Sequence, residues 1–596
     1  MTLQHYRAPS PARRALHAVL DGLWWVVAGG SERGRGVVPL VVAVVVSPRW
    51  VGPGGVVVGV LTSKRVVAAF AVACTLCWLV LPWSALTLAV TLPTVLCLAV
   101  VLGRSMHRDS VRGELRSQHQ SEGWVSYLKH RRTLSAHAAR HVAARNRPSM
   151  RALATSPVTH EQSAWRTERL PVRECGTWMG ATAVGPLVPL HCWVPHRDSI
   201  GIVAPPQTIK TVWMGHHIRG HVGAVVATGS RADVYRLTQR ARARRARSGR
   251  VEVFNPRGLD ELPSTIRFDP LIDCEDPEAA EARAGALVQA ITPENTEDQN
   301  WFDEAADVLC SMLLVAALSP RHDMASVAAW CTGPGRAKSA AELMEQYRDV
   351  LPPARPDALV QFLGSSATKG RDSVFRLLRQ ATAFMSIARV AEACLPQDGE
   401  SRFDVARFLA DRGTLYLLGA AKENSPVAPL LAALTSYIFD EATRLAATPE
   451  VGGKLDPPLM LALDEVALIA PVPLDDWIAY AGGSGVQIIW AVQSFSQLDK
   501  KWDENGARTI WDATNVKAIG GGLSDAKDLR ELVELCGRKP GETADNVYGD
   551  ELITIAQIRT LPPWHALLIH RASDPTIVRI PKPASAPLAR RTLEKV

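Results

Sequence analysis

The pattern of apolar and polar positions after about residue 196 is that of a buried parallel sheet. Short, almost continuous apolar runs alternate there with segments of helical periodicity. Continuous apolar runs are typical of strands covered on both faces, and their alternation with helices indicates crossover connections. The predicted strands cover residues 199–204, 222–228, 251–255, 414–419, 459–465, 486–493 and 516–521. The pattern therefore predicts an α/β domain.

Between residues 273 and 399 the strand pattern stops and helical periodicity takes over. The helices predicted in this stretch cover residues 277–291, 301–317, 340–348 and 371–387. We therefore predict an all-helical insertion domain, 273–399, that divides the α/β domain into 196–272 and 400–583. A short C-terminal tail, 584–596, follows.

Two apolar runs near the N-terminus, 66–81 and 85–102, contain no charged residue. Each is close to the lower length limit for a helix that crosses about 30 Å of hydrocarbon. Pro82, Trp83 and Ser84 join them as a tight turn with an interfacial aromatic residue, and basic residues flank both outer ends. We predict a transmembrane helical hairpin with both ends in the cytoplasm, and a buried soluble helix pair is the alternative.

These predictions place the chain in the inner (cytoplasmic) membrane as a multi-pass protein with its bulk in the cytoplasm. The membrane region is 37–104, preceded by an N-terminal cytoplasmic tail, 1–36. Whether residues 37–62 add another crossing stays open. Residues 105–195 form a basic juxtamembrane linker, because the part up to residue 147 is rich in arginine and lysine and poor in acids. Such a stretch suits anionic membrane lipid, and it could also hold nucleic acid.

The composition narrows the class of protein and of partner. Hydrophobic residues make up 47% of the 596 residues, which excludes global disorder. The net charge of +8 favours an anionic partner, although a biased base composition of the genome could also produce it. Among the ten cysteines only Cys74 and Cys77 are spaced as CxxC, inside an apolar run, and there is no Cys/His metal-binding spacing, so they indicate buried thiols in a reducing compartment.

The segment APPQTIKT, residues 204–211, has features of a phosphate-binding loop. The usual pattern is G-x-x-x-x-G-K-[ST], and Lys210 and Thr211 stand at its last two positions. A predicted strand precedes the segment and a possible helix follows, as such a loop requires. Lys210 would contact the β- and γ-phosphates of ATP, and Thr211 would bind Mg²⁺. The candidate nucleotide-binding residues are Ala204, Pro205, Pro206, Gln207, Thr208, Ile209, Lys210 and Thr211.

Two further strand ends carry candidate chemistry. Asp464 and Glu465 end one apolar strand, and Gln493 ends the next. In phosphate-loop enzymes the Asp helps to hold Mg²⁺ and the Glu activates the attacking water, while a strand-terminal Gln could sense the γ-phosphate. Ordinary polar residues at strand ends are the alternative. The order of loop Lys, paired acids and Gln predicts a RecA-like P-loop NTPase core of the additional-strand type.

The sequence resembles the VirD4/TraG-type coupling proteins of conjugation and type IV secretion, in an actinobacterial form. The resemblance covers the hairpin and most of 196–583, and the fourth of its five features is the most specific. These features are GIVAPPQTIKT, the stretch VGAVVATGSRADVYRLTQRARARRARSGRVEVFNP, the helix that begins at Trp301, LALDEVALIAPVPLDDWIAYAGGSGVQIIWAVQSFSQL, and IWDATNVKAIGGGLSDAKDLRELVELCG.

The resemblance implies a hexameric, ATP-driven motor of the inner membrane. Such a motor receives a relaxase-bound DNA strand or protein substrates and passes them to the components of a type IV secretion channel. The helical insertion would take part in substrate recognition. The resemblance also assigns the nucleotide chemistry, with ATP and Mg²⁺ as cofactors, to Lys210, Thr211, Asp464, Glu465 and Gln493.

Several departures from the family pattern leave a second function open. Ala204 adds only a methyl group, but Ile209 stands where glycine lets the backbone approach the phosphates, and a β-branched residue there is unfavourable if its φ is positive. Asn255 replaces the usual Asp, and 481–486 lacks the Arg that could act on a neighbouring subunit's ATP. Arg508, Arg530 and Arg538 are possible substitutes. The alternative to an active motor is therefore a catalytically weakened or inactive relative that acts as a membrane platform for DNA or protein.

Two other features have more than one interpretation. The run 236–250, RLTQRARARRARSGR, would form a helix that is basic all round and faces either solvent or a DNA backbone. A chromosome-partition or type VII secretion motor is a third possible function, but the DEVALIAPVP and QSFSQL stretches argue against it.

Overall fold

The computed structural model describes most of the chain from residue 172 onwards. It covers residues 172–182, 190–206, 208–291, 301–352, 354–395, 403–543 and 546–581, together with Leu134 and Ala139. The predicted hairpin, the N-terminal tail, most of the linker and the C-terminal tail lie outside these residues. Within the described part of the chain, no helix combines the length and apolarity that crossing a membrane requires.

A mixed sheet of eleven strands forms the centre of the described structure, in the order β2-β1-β13-β12-β9-β3-β8-β7-β4-β6-β5. The run from β9 to β5 is parallel throughout, and antiparallel pairs attach β12, β13, β1 and β2. The strands are β1 Gly176–Thr182, β2 His191–Pro195, β3 Ile200–Val203, β4 Val225–Gly229, β5 Glu252–Phe254, β6 Thr414–Leu418, β7 Leu459–Leu463, β8 Val486–Val492, β9 Val516–Gly520, β12 His565–His570 and β13 Ser573–Arg579. A separate hairpin consists of β10 Arg538–Thr543 and β11 Asn546–Glu551.

Each of the seven predicted strands corresponds to one of the parallel strands, β3 to β9. The central ones are buried at every position, which explains why their sequences are almost continuously apolar. The sheet begins earlier than the predicted domain boundary at residue 196, because β1 and β2 lie inside the segment 105–195 that was predicted as a linker. Their sequences, GTWMGAT and HCWVP, mix glycine, threonine and aromatic residues and lack the apolar run that marks the parallel strands.

Helices connect the parallel strands. They are α1 Lys210–Gly220, α2 Asp233–Ala243, α10 Val405–Ala410, α11 Ala428–Ala447, α12 Val466–Ile469, α13 Leu474–Ser484 and α14 Phe495–Ala513. Two further helices follow β9: α15 Ala526–Cys536 precedes the β10–β11 hairpin, and α16 Ile555–Arg559 lies between that hairpin and β12. One close contact holds two neighbouring strands in register. A Cβ at Gly201 of β3 would lie 2.3 Å from the ring of Trp490 on β8, so only glycine leaves room for this buried indole.

The chain leaves the sheet after β5 and returns to it through α10 and β6. The regular elements described in between are helices and two 3₁₀ turns, Leu259–Glu261 and Ala383–Ser386, and helices dominate as predicted for 273–399. They are α3 Pro277–Gln289, α4 Phe302–Leu318, α5 Met324–Trp330, α6 Pro334–Gln346, α7 Ala354–Gly364, α8 Thr368–Ala381 and α9 Ala388–Cys394. Local signals fix their starts, because Asp276 caps α3 and Asp323 forms a capping box with Ser326 at α5.

The basic run 236–250 is not a uniformly exposed helix. Helix α2 ends at Ala243, and Arg242 in its last turn is fully buried. The Arg242 guanidinium donates to the hydroxyl of Thr414 and to the carbonyl oxygens of His221 and Gly223, at 2.7, 2.6 and 2.6 Å. Burial lowers its pKa to about 9. The prediction was wrong for Arg242, which ties α2 to the residues before β4 and to the start of β6.

Candidate nucleotide-binding site

Three adjacent parallel strands bring the predicted site residues to one edge of the sheet. Strand β8, which Gln493 follows, lies between β3 and β7. Strand β3 precedes the phosphate loop, and β7 precedes Asp464 and Glu465. The carboxyl ends of parallel strands lie at the same edge. The loop strand and the acidic strand are therefore separated by one strand, as the additional-strand arrangement predicts.

Lys210 is the first residue of α1, and its side chain turns back over the loop. Its ammonium donates to the carbonyl oxygens of Ala204 at 2.6 Å and Pro205 at 3.2 Å. It also lies 3.5 Å from Oε1 of Glu465, and only 6% of the lysine side chain and 9% of the glutamate side chain are exposed. This buried ion pair joins the loop to the acidic strand.

The two acids occupy different surroundings. Asp464 Oδ2 accepts a weak hydrogen bond from the hydroxyl of Thr211, at 3.5 Å. Burial raises the pKa of Asp464 to about 6, and the neighbouring charge of Glu465 adds to this, whereas Lys210 and Thr211 act in the opposite direction. The carboxyl of Asp464 therefore lacks full compensation of its negative charge in this pocket.

Glu465 is held in an unusual backbone conformation, with φ 50° and ψ 47°. A non-glycine residue in the left-handed region carries strain that the surrounding structure must support. The buried hydroxyl of Thr228 on β4 donates to the carbonyl oxygen of Asp464 at 2.8 Å and fixes the peptide that precedes Glu465. Gln493 Nε2 donates to Glu465 Oε1 at 2.9 Å and orients the side chain. Sequence reasoning missed Thr228, because nothing in the sequence reveals which strand lies beside β7.

Unsatisfied polar groups show that these residues fit Mg²⁺ and a nucleotide. Oδ1 of Asp464 and Oε2 of Glu465 are buried without a hydrogen-bond partner among the described residues. Such oxygens are costly unless a cation or a water molecule joins them. No side chain caps the start of α1, so its first backbone N–H groups are available to an anion. Carboxylate and hydroxyl oxygens suit Mg²⁺, and the loop lysine with the helix N-terminus suits a phosphate.

The backbone of Ile209 does not have the positive φ that would make this residue unfavourable. Its φ is −83° and its ψ is −13°, a right-handed helical conformation in which a β-branched residue carries no strain. The side chain is 4% exposed and belongs to the hydrophobic core. Ile209 therefore anchors the loop to the core instead of projecting towards the phosphate position.

The other loop residues divide into a buried and an exposed group. Ala204 is fully buried. Its methyl group fits because residue 520 is a glycine, and a Cβ on Gly520 would lie 2.6 Å from the Cβ of Ala204. Pro205 is half-buried, and Pro206 and Thr208 are exposed. The Thr208 hydroxyl donates to the carbonyl oxygen of Pro205 at 2.5 Å. Gln207 lies outside the described residues.

Asn255 has a structural role that the usual Asp could not perform. Its amide donates to the carbonyl oxygens of Leu259 and Leu262 at 2.9 and 2.7 Å, and its Oδ1 accepts from the backbone N–H of Leu259 at 2.9 Å. An ionised Asp has no donor for the two carbonyl groups. This departure from the family pattern therefore organises the loop after β5.

No arginine contacts the candidate site among the residues that the structure describes. Arg508, Arg530 and Arg538, the possible substitutes for an arginine finger, are all exposed, on α14, on α15 and at the start of β10.

Residues 458–563 match the family model described as "TraM recognition site of TraD and TraG". The match extends from the strand before Asp464 to the turn after α16 and includes both acids and Gln493. The resemblance to the VirD4/TraG-type coupling proteins is thereby confirmed, whereas the actinobacterial origin stays a prediction. No curated protein matches the sequence significantly.

Several solved structures are similar to this chain. One is the plasmid coupling protein TrwB in complex with a non-hydrolysable GTP analogue, with 18% identity, 65% of this chain and 86% of that chain covered and a TM-score of 0.48. TrwB in complex with ADP and Mg²⁺ has 17% identity, coverage of 65% and 87% and a TM-score of 0.49. VirB4 of Thermoanaerobacter pseudethanolicus has 10% identity, coverage of 70% and 98% and a TM-score of 0.39.

Proposed function

We propose that this chain is a membrane-anchored type IV coupling protein that uses ATP to transfer DNA to a secretion channel during conjugation. The observation that carries the proposal is the convergence of a loop lysine, two buried acids and a glutamine at one edge of the sheet. A scaffold has little physical need for a buried lysine beside two carboxylates with unsatisfied oxygens, since each such group is costly without a ligand.

Different residues of the site would bind the phosphates of ATP and Mg²⁺. Lys210 and the first N–H groups of α1 would bind the phosphates, and Thr211 and Asp464 would hold Mg²⁺. When bound, ATP with Mg²⁺ supplies the phosphoryl group and the neutralisation of its charge. Asp464 is suited to the metal because its buried Oδ1 lacks a partner.

Glu465 and Gln493 are placed for proton transfer and orientation. Oε1 of Glu465 accepts from Gln493 at 2.9 Å, whereas Oε2 is buried and unpartnered. Glu465 would take the proton of the attacking water on Oε2, as a general base does. Gln493 would hold the carboxylate in the orientation that this transfer requires.

The partners in this proposal follow from the resemblance and from the charge of the chain. Single-stranded DNA, bound without sequence preference, and a relaxase would be the cargo, type IV secretion channel components would receive it, and the assembly would be a hexamer. The net charge of +8 supports an anionic partner. The predicted hairpin would anchor the protein in the inner membrane, with its bulk in the cytoplasm.

A second candidate function is a catalytically weakened platform for DNA or protein. The observation that favours it is the position of Lys210, which is bonded to two carbonyl oxygens of its own loop and paired with Glu465. Nucleotide binding would have to replace these contacts. The absence of an arginine from the described site points the same way, since an arginine finger is worth roughly 10³–10⁵ in rate.

ATP hydrolysis by the full chain in detergent distinguishes the two functions. We expect a basal rate that single-stranded DNA increases, and a loss of roughly 10²–10⁴-fold in Glu465→Gln, the range for removal of a general base. Glu423→Gln is the matched control, because Glu423 is exposed and pairs with Lys500 at the surface. Equal rates for the wild type and Glu465→Gln, with or without DNA, would exclude the motor and leave the platform.

A further inference from the structure

A cluster of arginine side chains lies at the edge of the sheet opposite the candidate nucleotide site. A helix that follows a parallel strand runs back across the sheet, so the ends of α1 and α2 meet the starts of β4 and β6 at the amino edge. The buried Arg242 marks this meeting point. Beyond its bonds to Thr414, His221 and Gly223, it donates to the carbonyl oxygen of Arg412 at 3.3 Å.

Arg242 brings three other arginines together. Arg245 lies just after α2, and its backbone N–H donates to the carbonyl oxygen of Arg242 at 2.9 Å. Arg412 is held by the bond from Arg242 and has a left-handed φ of 57°. Arg173 approaches from the 3₁₀ turn Val172–Glu174, because its carbonyl oxygen contacts Nε2 of His196 at 2.9 Å. The ring of His196 packs against that of His221, with 5.1 Å between the centroids.

The positive charges of this cluster are incompletely compensated within the described residues. Burial lowers the pKa of Arg245, and the charges of Arg173 and Arg412 lower it further, with Glu174 acting in the opposite direction. The Nε of Arg412 is buried without a hydrogen-bond partner. The nearby Asp411 is already engaged, since its two oxygens accept from the N–H and the hydroxyl of Ser248 at 2.5 and 2.6 Å.

We propose that Arg173, Arg245 and Arg412 bind the phosphate group of an anionic membrane lipid. Guanidinium groups present planar forks of donors that match phosphate oxygens, and a phosphate would satisfy the orphaned donor of Arg412 and offset the mutual repulsion. The exposed Arg244, Arg247 and Arg250 on the following turn extend the positive surface and attract an anionic membrane.

A lipid is favoured over other phosphate carriers by the path of the chain. In the sequence, the basic stretch 104–147 and the predicted hairpin precede Arg173. The amino edge is also the one away from the candidate nucleotide site. The proposal rests on the predicted membrane anchor but not on ATP hydrolysis, so the lipid site and the ATPase activity can fail independently.

Binding of a soluble lipid to the full chain tests the site. The full chain, in neutral detergent, carries Lys210→Ala in every sample, which removes the loop's own phosphate contact. Dihexanoyl phosphatidylglycerol, dihexanoyl phosphatidylcholine and inorganic phosphate are titrated separately by calorimetry. We expect phosphatidylglycerol to bind at least tenfold more tightly than the other two, and Arg245→Gln with Arg412→Gln to weaken it at least tenfold. Arg336→Gln, an exposed arginine on α6 in the helical insertion, is the control and should change the affinity by less than twofold.

The single variant Arg245→Gln keeps the test valid if the double variant does not fold, because no hydrogen bond of the Arg245 guanidinium is seen within the described part of the chain. It should weaken phosphatidylglycerol binding at least threefold. Unchanged affinity in a folded variant, equal binding of the two lipids, or inorganic phosphate binding as tightly as phosphatidylglycerol would overturn the lipid site. Loss of single-stranded DNA binding with unchanged lipid binding would overturn it as well and assign the cluster to nucleic acid.

Discussion

At the scale of single residues, the sequence shows which side chains are present but not which backbone conformation they adopt. Ile209 illustrates this, because the pattern of phosphate loops makes a β-branched residue there look obstructive. Its negative φ and its place in the core remove that objection. Asn255 also differs from the family pattern, yet its amide holds two carbonyl groups that no sequence motif reveals. Both residues could be singled out from the sequence, but their consequences depend on contacts between distant segments.

Ala204 and Gly520 form a compensating pair that can be tested. Gly520→Ala would place a methyl group 2.6 Å from the Cβ of Ala204, closer than two carbons can approach. We expect destabilisation of about 1–3 kcal/mol, typical of overpacking, seen as a lower midpoint of thermal unfolding followed by tryptophan fluorescence. Adding Ala204→Gly in the same chain should recover most of the loss.

Gly483→Ala is the matched control for this pair. A Cβ at Gly483, on α13, would meet no atom within 4 Å, so the midpoint should not fall. A Gly520→Ala variant as stable as the wild type, or one that Ala204→Gly does not rescue, would show that this packing does not constrain the loop.

At the scale of elements, helix α1 connects the two edges of the sheet. Its first residue, Lys210, contacts the candidate nucleotide site, and its carboxyl end lies beside Arg242. Three buried histidines, His216, His217 and His221, occupy its last turn and the residue after it. Neither ring nitrogen of His217 has a hydrogen-bond partner in the described part of the chain, and its ring packs against Trp213 with 5.8 Å between centroids. The helix is therefore stable only while these rings stay neutral.

His217 should make the folded state sensitive to acid. Burial lowers its pKa from 6.5 to about 3, and the charge of His216 contributes. Above pH 6.5 this histidine is neutral in both the folded and the unfolded state and does not reduce the free energy of unfolding. As the pH drops from 6.5 towards the pKa of the folded state, the unfolded state takes up a proton and the free energy of unfolding falls by about 1.4 kcal/mol per pH unit. Replacing His217 by Phe keeps the ring contact and removes the proton site.

The midpoint of thermal unfolding at pH 7 and pH 5 measures this effect. His217→Phe should lose clearly less stability between the two values than the wild type, whereas His322→Gln, in the helical insertion, should lose as much as the wild type. An equal loss in the wild type and His217→Phe would assign the acid sensitivity to other groups.

The strands of the sheet show which elements could be predicted. The parallel strands β3 to β9 are buried at most of their positions, so an almost continuous apolar run identifies each of them. Strand β1 escapes this criterion because it mixes glycine, threonine and an aromatic residue, and β13 escapes it because it is mostly half-buried and contains a proline. The strand order could not be predicted, because nothing local indicates that β8 separates β3 from β7.

At the scale of the whole molecule, the two proposed sites lie at opposite edges of one sheet. The carboxyl edge holds the lysine, the acids and the glutamine that suit Mg²⁺ and a nucleotide. The amino edge holds the arginines that we propose to bind a lipid phosphate.

Equilibrium binding of a fluorescent ATP analogue with Mg²⁺ to the full chain tests the central claim most directly. The wild type should bind, Lys210→Ala should weaken binding at least tenfold, and Ile209→Gly should not tighten it, because the isoleucine side chain lies in the core and its loss costs about 2–5 kcal/mol of stability. Asp476→Asn, an exposed position on α13, is the control. A wild type that binds no nucleotide, together with an Ile209→Gly variant that does, would contradict the account.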